Sequence, residues 1–266
     1  MKALIACIRK DIFEFLRQKK NIVCTIVLIG LGTMVLSVTN IFPTLLTQLS
    51  IKSPKLISDP TAMNGMFAKM FPSDIRGSLG ILSSDIGVFY TIVVVLMCHS
   101  LLPSEIQKGK WIMPINSGIN VSKLVASKCL VYSTGMAFPV VVVINLYYYT
   151  ASYFLINNIK WSNVLINSFV LGIAIASIVS ITIITSLIYK HSIVAALSVI
   201  IVVSTAPDIL TMFSFGKWFP TYLLTFVYNS ESNLALLMVP TLIMIVIIIV
   251  LYFISVKKCQ LIELTR

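Results

Sequence analysis

The sequence predicts an all-α polytopic membrane protein, six transmembrane helices preceded by an N-terminal amphipathic helix at the membrane interface. Three observations predict it. Of 266 residues, 58% are apolar and only 11% charged, with a mean hydropathy of +0.99; soluble domains have roughly 45–50% and about 25%, so a water-soluble single domain is excluded. The charges cluster and leave runs that supply the about 20 apolar residues a helix needs to cross the hydrocarbon layer. These runs also lack the alternation of barrel strands, so helices must satisfy the backbone within the layer.

Segment 1–20 comes first. On a helical wheel Leu4, Ile5, Ile8, Ile12, Phe15 and Leu16 share one face and Lys2, Arg9, Lys10, Glu14 and Arg17 the other, with Phe13 alone on the polar side. Such a helix is expected to lie on the inner leaflet. Asp11 and Glu14 within it, and the long apolar run without an A-x-A-like site after it, read as a retained helix and not a cleaved leader.

Charge-free runs then lie between Lys20 and Lys52, Asp85 and Glu105, Lys128 and Lys160, Lys160 and Lys190, His191 and Asp208, and Glu231 and Lys257. They place spans near 21–43, 84–102, 124–149, 164–189, 192–213 and 238–256, so that 21–256 forms one transmembrane domain and 257–266 a tail. Span four has Ser168, Gly172, Ala176 and Ser180 at a four-residue spacing, a face small enough for another helix of the bundle to approach, in preference to a seam between copies. Span six, with Ile243, Ile245, Val246, Ile247, Ile248, Ile249 and Val250, is apolar all round and reads as lipid-facing. In the loop 44–83, Met63, Met66, Phe67, Met70 and Phe71 follow Pro60 at helical spacing, as in a helix on the membrane surface or a cap over an apolar path.

Basic residues set the orientation, because Lys and Arg are retained on the cytoplasmic face. Lys2, Arg9, Lys10, Arg17, Lys19, Lys20, Lys108, Lys110, Lys123, Lys128, Lys190, Lys257, Lys258 and Arg266 fall on one side, against Lys52, Lys55, Lys69, Arg76, Lys160 and Lys217 on the other. Fourteen against six places both termini in the cytoplasm of a cell that carries the chain in its plasma membrane. The net charge of +11 is therefore read as membrane anchoring; no nucleic-acid partner is expected. Tyr147, Tyr148, Tyr149, Tyr153 and Trp161 crowd the outer turn between spans three and four, where amphipathic rings favour the interface. Cys7, Cys24, Cys98, Cys129 and Cys259 all fall on the inner side, with no C-x-x-C spacing, so no disulfide framework or zinc site is expected.

The search for chemistry gives no catalytic, cofactor-binding or metal-ligating residues. Gly109-Lys110 and Gly216-Lys217 lack the upstream glycine and the following Ser or Thr of a phosphate loop. His99 and His191 have no carboxylate, Cys or second His at ligand spacing and read as interface residues. No nucleophile motif or selectivity-filter signature occurs. The spans have essentially uncharged centres, so an ion-coupled mechanism lacks its carboxylate. A transported molecule would meet hydroxyl and amide groups such as Asn145, Asn167, Ser168, Ser177 and Thr182.

The segment 104–123 between spans two and three brings acidic, basic, glycine, aromatic and proline residues together: Glu105, Lys108, Gly109, Lys110, Trp111, Met113, Pro114, Ser122 and Lys123. With Lys128 entering span three, this pattern resembles the cytoplasmic signature of ABC transporter permeases of type 2, the exporter class. There a Glu-x-x-x-Gly opens a short helix before a Leu-Pro-like turn and a Ser-Arg-like pair. The sequence departs from it at Lys110, where a Thr often follows the glycine, and at Lys123, where Arg is usual. The likeness extends over nearly the whole chain, including a segment 206–222 similar to the family's re-entry between spans five and six.

The resemblance implies a membrane subunit without catalysis of its own, docked through 104–123 on a separate ATP-binding-cassette ATPase subunit. Glu105 would meet a basic residue of the cassette, Trp111 and Pro114 would fill an apolar notch, and Lys108, Gly109 and Lys123 would shape the coupling loop. A second permease copy, identical or a sister chain, would complete the transporter, embedded in membrane lipid. The implied cargo is hydrophobic or amphipathic: a peptide, drug-like compound or lipid moved outward. A sensory or immunity protein that binds such a compound without moving it is the alternative.

Overall fold

The computed structural model describes residues 2–52, 74–189, 191–211, 224 and 234–264, with side chains at 3–41, 74–189, 191–205, 224 and 239–257. Among these residues the chain is helical, and an isolated bridge between Asp74 and Ile156 is the one strand-like contact. Five helical stretches are long and apolar enough to cross a membrane: Lys19–Ile41, Ile75–Gln107, Val121–Ala151, Trp161–Ile188 and Val239–Lys257. The chain is thus an all-α protein of membrane character. The expected span at 192–213 corresponds to a helix, α9 (Ser192–Thr211), whose apolar described part, Ser192–Thr205, is shorter than a full span.

The first two helices, α1 (Lys2–Arg17) and α2 (Lys19–Lys52), meet at Gln18, whose N–H still reaches the Glu14 and Phe15 carbonyls at 3.1 and 3.2 Å. The helix α2 continues past the expected end at 43. Its polar residues need no water: the Thr39 hydroxyl donates to Val35 O at 2.9 Å and Asn40 Nδ2 to Leu36 O at 3.1 Å.

The second spanning stretch begins at Ile75, nine residues before the expected 84. It consists of α3 (Ile75–Asp85), a π-helical turn over Ile86–Tyr90, α4 (Thr91–Cys98) and α5 (Leu101–Gln107). Serines and glycines make 77–84 look like a loop in sequence, yet Ser78 and Ser83 are buried and bond the carbonyls of Ile75 and Gly80. The start of α3 is fastened to the loop 152–160: Ile75 N donates to Ile156 O at 3.1 Å and Asn158 Nδ2 to Asp74 Oδ2 at 2.6 Å. Within the π turn Tyr90 is fully buried and donates its hydroxyl to Met136 O at 2.8 Å.

After the short α6 (Ile112–Asn116) come α7 (Val121–Ala151), α8 (Trp161–Ile188), α9 and α10 (Leu234–Leu264). The helix α8 is central, packing on α7, α4, α5, α9 and α10. Its small-residue stripe is where α7 comes close: a Cβ on Gly172 would lie 3.0 Å from Val141 Cγ2, and Asn145 Nδ2 donates to Ser168 Oγ at 3.1 Å. Leu242, Ile245, Val246, Ile249, Val250, Phe253 and Ile254 of α10 remain exposed, in keeping with a helix that meets lipid. At the expected aromatic turn, Tyr149 and Trp161 rings lie 6.5 Å apart, while Tyr147 and Tyr148 turn into the bundle.

The helix α1 does not divide as its wheel suggests. Cys7, Asp11 and Phe15 are buried against α7, whereas Ile5, Ile12, Phe13 and Leu16 stay exposed. Phe15 meets Tyr132 edge-on at 5.2 Å and rests on Gly135, where a Cβ would collide with its ring. Two acids are thereby drawn inward with the helix. Cys7, Cys24, Cys98 and Cys129 are buried and free. The segment with Met63, Met66, Phe67, Met70 and Phe71, and most of 206–222, lie outside the described residues.

Candidate functional site

The segment 104–123 folds as two helix ends stopped by glycine. Gly109 has φ +67°, and the N–H of Lys110 reaches Glu105 O at 3.0 Å while that of Gly109 reaches Ile106 O at 3.0 Å. This pair of bonds is a Schellman motif, which favours glycine because a side chain at positive φ is strained. The same geometry recurs at Gly118, φ +84°, with Ile119 N to Pro114 O at 3.0 Å and Gly118 N to Ile115 O at 2.9 Å. Glu105 therefore sits in the last turn of α5 instead of opening a helix, and Met113-Pro114 lies within α6 instead of forming a turn. Pro114 is in the first turn of α6, where a missing N–H costs nothing.

Glu105 and Trp111 are buried against the bundle. They are 5% and 6% exposed, and Trp111 Nε1 donates to Glu105 Oε2 at 3.1 Å. The other oxygen of Glu105 lies 2.7 Å from Lys128 Nζ. Lys128, only 3% exposed, also reaches Glu14 Oε2 at 2.7 Å and Asp11 Oδ1 at 3.1 Å, and sits 5.3 Å above the Tyr132 ring. An ammonium has three protons, one for each carboxylate. Each carboxylate has a second donor: Ser127 Oγ to Asp11 Oδ2 at 2.5 Å, Lys110 Nζ to Glu14 Oε1 at 3.3 Å, and the Trp111 indole to Glu105. Burying charge is costly unless it is paired and hydrogen-bonded, and here every member is.

The cluster ties three elements distant in sequence, α1, the α5–α6 corner and the first turns of α7. At 1.5 Å per residue α7 is roughly 46 Å long, longer than the about 30 Å of hydrocarbon, and the cluster lies within its first turns. Burial pushes the Glu14 carboxyl up, but the hydrogen bond and charge of Lys128, then those of Lys110, outweigh it and hold it at about 2. A carboxyl held below its ordinary value of 4.5 stabilises the fold fully above that value, and the stabilisation is lost as pH falls towards about 2. Hydrogen exchange of residues 3–17, corrected for intrinsic rates, is expected to stay constant from pH 7 to pH 5 and to accelerate between pH 4.5 and 2.

Of the other expected site residues, Lys108 is exposed at the tip of the corner, and Gly109, Pro114 and Lys123 are half-buried around it. Lys110, Ile112 and Met113 complete an exposed rim, with Met113 85% exposed. Asn145, Asn167, Ser177 and Thr182 do not converge. Asn145 binds Ser168 and accepts from the Trp161 indole at 3.2 Å, while Ser177 and Thr182 are buried and donate to carbonyls of their own helix at 2.8 Å. Asn167 is buried on α8, and none of the four lines either of the two apolar cavities described. His99 is half-buried with its ring on Leu96 O at 2.7 Å. Among the described residues no group of His, Cys, Asp and Glu stands ready for a metal ion.

Asp11, Glu14 and Ser127 are the participants that sequence reasoning missed. A signal was present: two acids three apart on a helix otherwise rich in cations, and a lysine already inside an apolar run. No family model, curated protein or solved structure matches this chain.

Proposed function

We propose that the chain is the membrane subunit of an ATP-binding-cassette exporter, with six helices through a cell membrane and both termini in the cytoplasm. It works with a second copy or a sister permease and takes its energy from a separate ATPase subunit. The observation that carries this reading is the corner 101–116, braced by a buried ion cluster and offering an exposed rim of Lys108, Lys110, Ile112 and Met113. A load applied to that rim passes directly to α1, α5 and α7. Glu105 and Trp111 then act as supports for the rim and not as contacts of the cassette. The cargo proposed is hydrophobic or amphipathic.

The alternative, a sensory or immunity protein that binds such a compound without moving it, is favoured by one observation: Asn167, Ser177 and Thr182 of α8 are buried and line neither described cavity. Co-expression with ATP-binding-cassette ATPase subunits of the same cell separates the two. The exporter reading expects the pair to co-purify and hydrolyse ATP, the chain alone to be inactive, and Met113→Asp to weaken association by about 30-fold, the loss of one interface hot spot of about 2 kcal/mol. Failure of any cassette to bind the intact chain would overturn it.

A further inference from the structure

A groove of about 750 Å³ runs along the outside of the bundle between α1, α2 and α7. Its walls are apolar: Ile12 and Leu16 of α1, Ile29 of α2, and Leu130, Val142 and Leu146 of α7. Gly135, covered by the Phe15 ring, and Pro139 also line it. From Leu130 to Leu146 the helix rises roughly 24 Å, more than the about 15 Å of one leaflet. Over that length the groove is open along the outside of the bundle, and its apolar walls suit an extended hydrocarbon chain.

Polar character appears at one end alone, where Asn21 and Thr25 enter the wall. Thr25 is satisfied by Asn21 O at 3.0 Å, but Asn21 Oδ1 is buried with no hydrogen-bond partner. Between the wall residues Leu16 and Asn21 the chain turns from α1 to α2, and there Arg17 and Lys19 are exposed. Among the described residues neither pairs with a carboxylate, because Asp11, Glu14 and Glu105 are all committed to Lys128 and its cluster. Drawing the acids inward leaves the outer surface of this corner purely cationic.

We propose that the groove holds one acyl chain of an anionic phospholipid from the leaflet on which α1 lies, its phosphate between Arg17 and Lys19 and a headgroup hydroxyl donating to Asn21. The charge selects the headgroup, since cations near a membrane surface attract anionic lipid; the apolar walls suit its chain. The site stands independently of the exporter reading, because it uses the outer side of α1 and not the corner at 101–116.

The test is native mass spectrometry of the full chain, delipidated in detergent and titrated with dioleoylphosphatidylglycerol or dioleoylphosphatidylcholine. One phosphatidylglycerol per chain is expected to be retained at a concentration at least about ten-fold lower than phosphatidylcholine needs. Val142→Trp, which fills the groove, should remove this retention, and Thr134→Phe, on an exposed groove residue, provides a second filling variant should the first fail to fold. Arg17→Gln with Lys19→Gln should bring phosphatidylglycerol down to the level of phosphatidylcholine. Ile193→Trp, on exposed α9, should change nothing. Equal retention of the two lipids by the unaltered chain, or undiminished retention by a folded filling variant, would overturn the proposal. So would a dimer that the filling variants dissociate, which would give the groove to a second copy.

Discussion

Lys128→Met is expected to release α1 from the bundle. The substitution keeps the length of the side chain and removes its charge, leaving Asp11, Glu14 and Glu105 close together with one partial counter-charge, Lys110. Removing one partner of a buried ionic group costs about 3–5 kcal/mol, and here three acceptors lose it together. Thermal unfolding followed in detergent should show the loss, and protease access to α1 should rise before the rest of the chain opens. Neutralising Asp11, Glu14 and Glu105 as Asn, Gln and Gln in the same chain should recover part of it, because uncharged amides are far cheaper to bury than unpaired carboxylates. Unchanged stability of Lys128→Met would mean that the cluster braces nothing.

The second large effect is expected at Trp111. Trp111→Ala leaves a cavity where a fully enclosed ring stood and orphans Glu105 Oε2; large-to-small changes at buried aromatics cost about 3–5 kcal/mol. Trp111→Phe keeps most of the packing and loses the indole donor, an unsatisfied acceptor worth about 1–3 kcal/mol. Hydrogen exchange over 101–120 should rank the three chains in that order. In the exporter reading, cassette affinity falls with Trp111→Ala through the loosened rim, so the lost exchange protection and the lost affinity should rise together. A drop in affinity with protection of 101–120 intact would mean that Trp111 touches the partner directly.

The helices were legible because exclusion of charge from hydrocarbon is a strong, local rule. The expected starts of spans three and four at 124 and 164 lie three residues from helices beginning at Val121 and Trp161, and the expected start of span six at 238 falls within α10. The rule failed at span two, where it took Asp85 as a boundary. That residue is half-buried inside a continuous helical stretch, and the serines before it satisfy their hydroxyls on their own carbonyls. The expected span at 192–213 coincides with α9 (Ser192–Thr211) over its described length.

The candidate site was legible only in outline. Sequence placed Glu105, Gly109, Trp111 and Lys128 near one another, but gave Glu105 and Trp111 an outward role. A wheel sorts residues by polarity and cannot show that Asp11 belongs inside, because its partners lie 116 and 117 residues away on α7. Only the packing of Phe15 over Gly135 brings α1 close enough for those charges to meet.

That separation has a consequence for how the protein is made. The helix α1 is synthesised before α7, and its acids wait for Ser127 and Lys128, which follow some 115 residues later. At about 5–20 residues per second the delay is roughly 6–23 s. Until Lys110 and then Lys128 emerge, α1 has no ionic partner in the bundle. The lysine that α7 carries at its first turns then closes the structure from the middle of the chain backwards. Docking of α1 thus follows the synthesis of α7, and it reports whether the basic end of α7 has been inserted on the same side as α1.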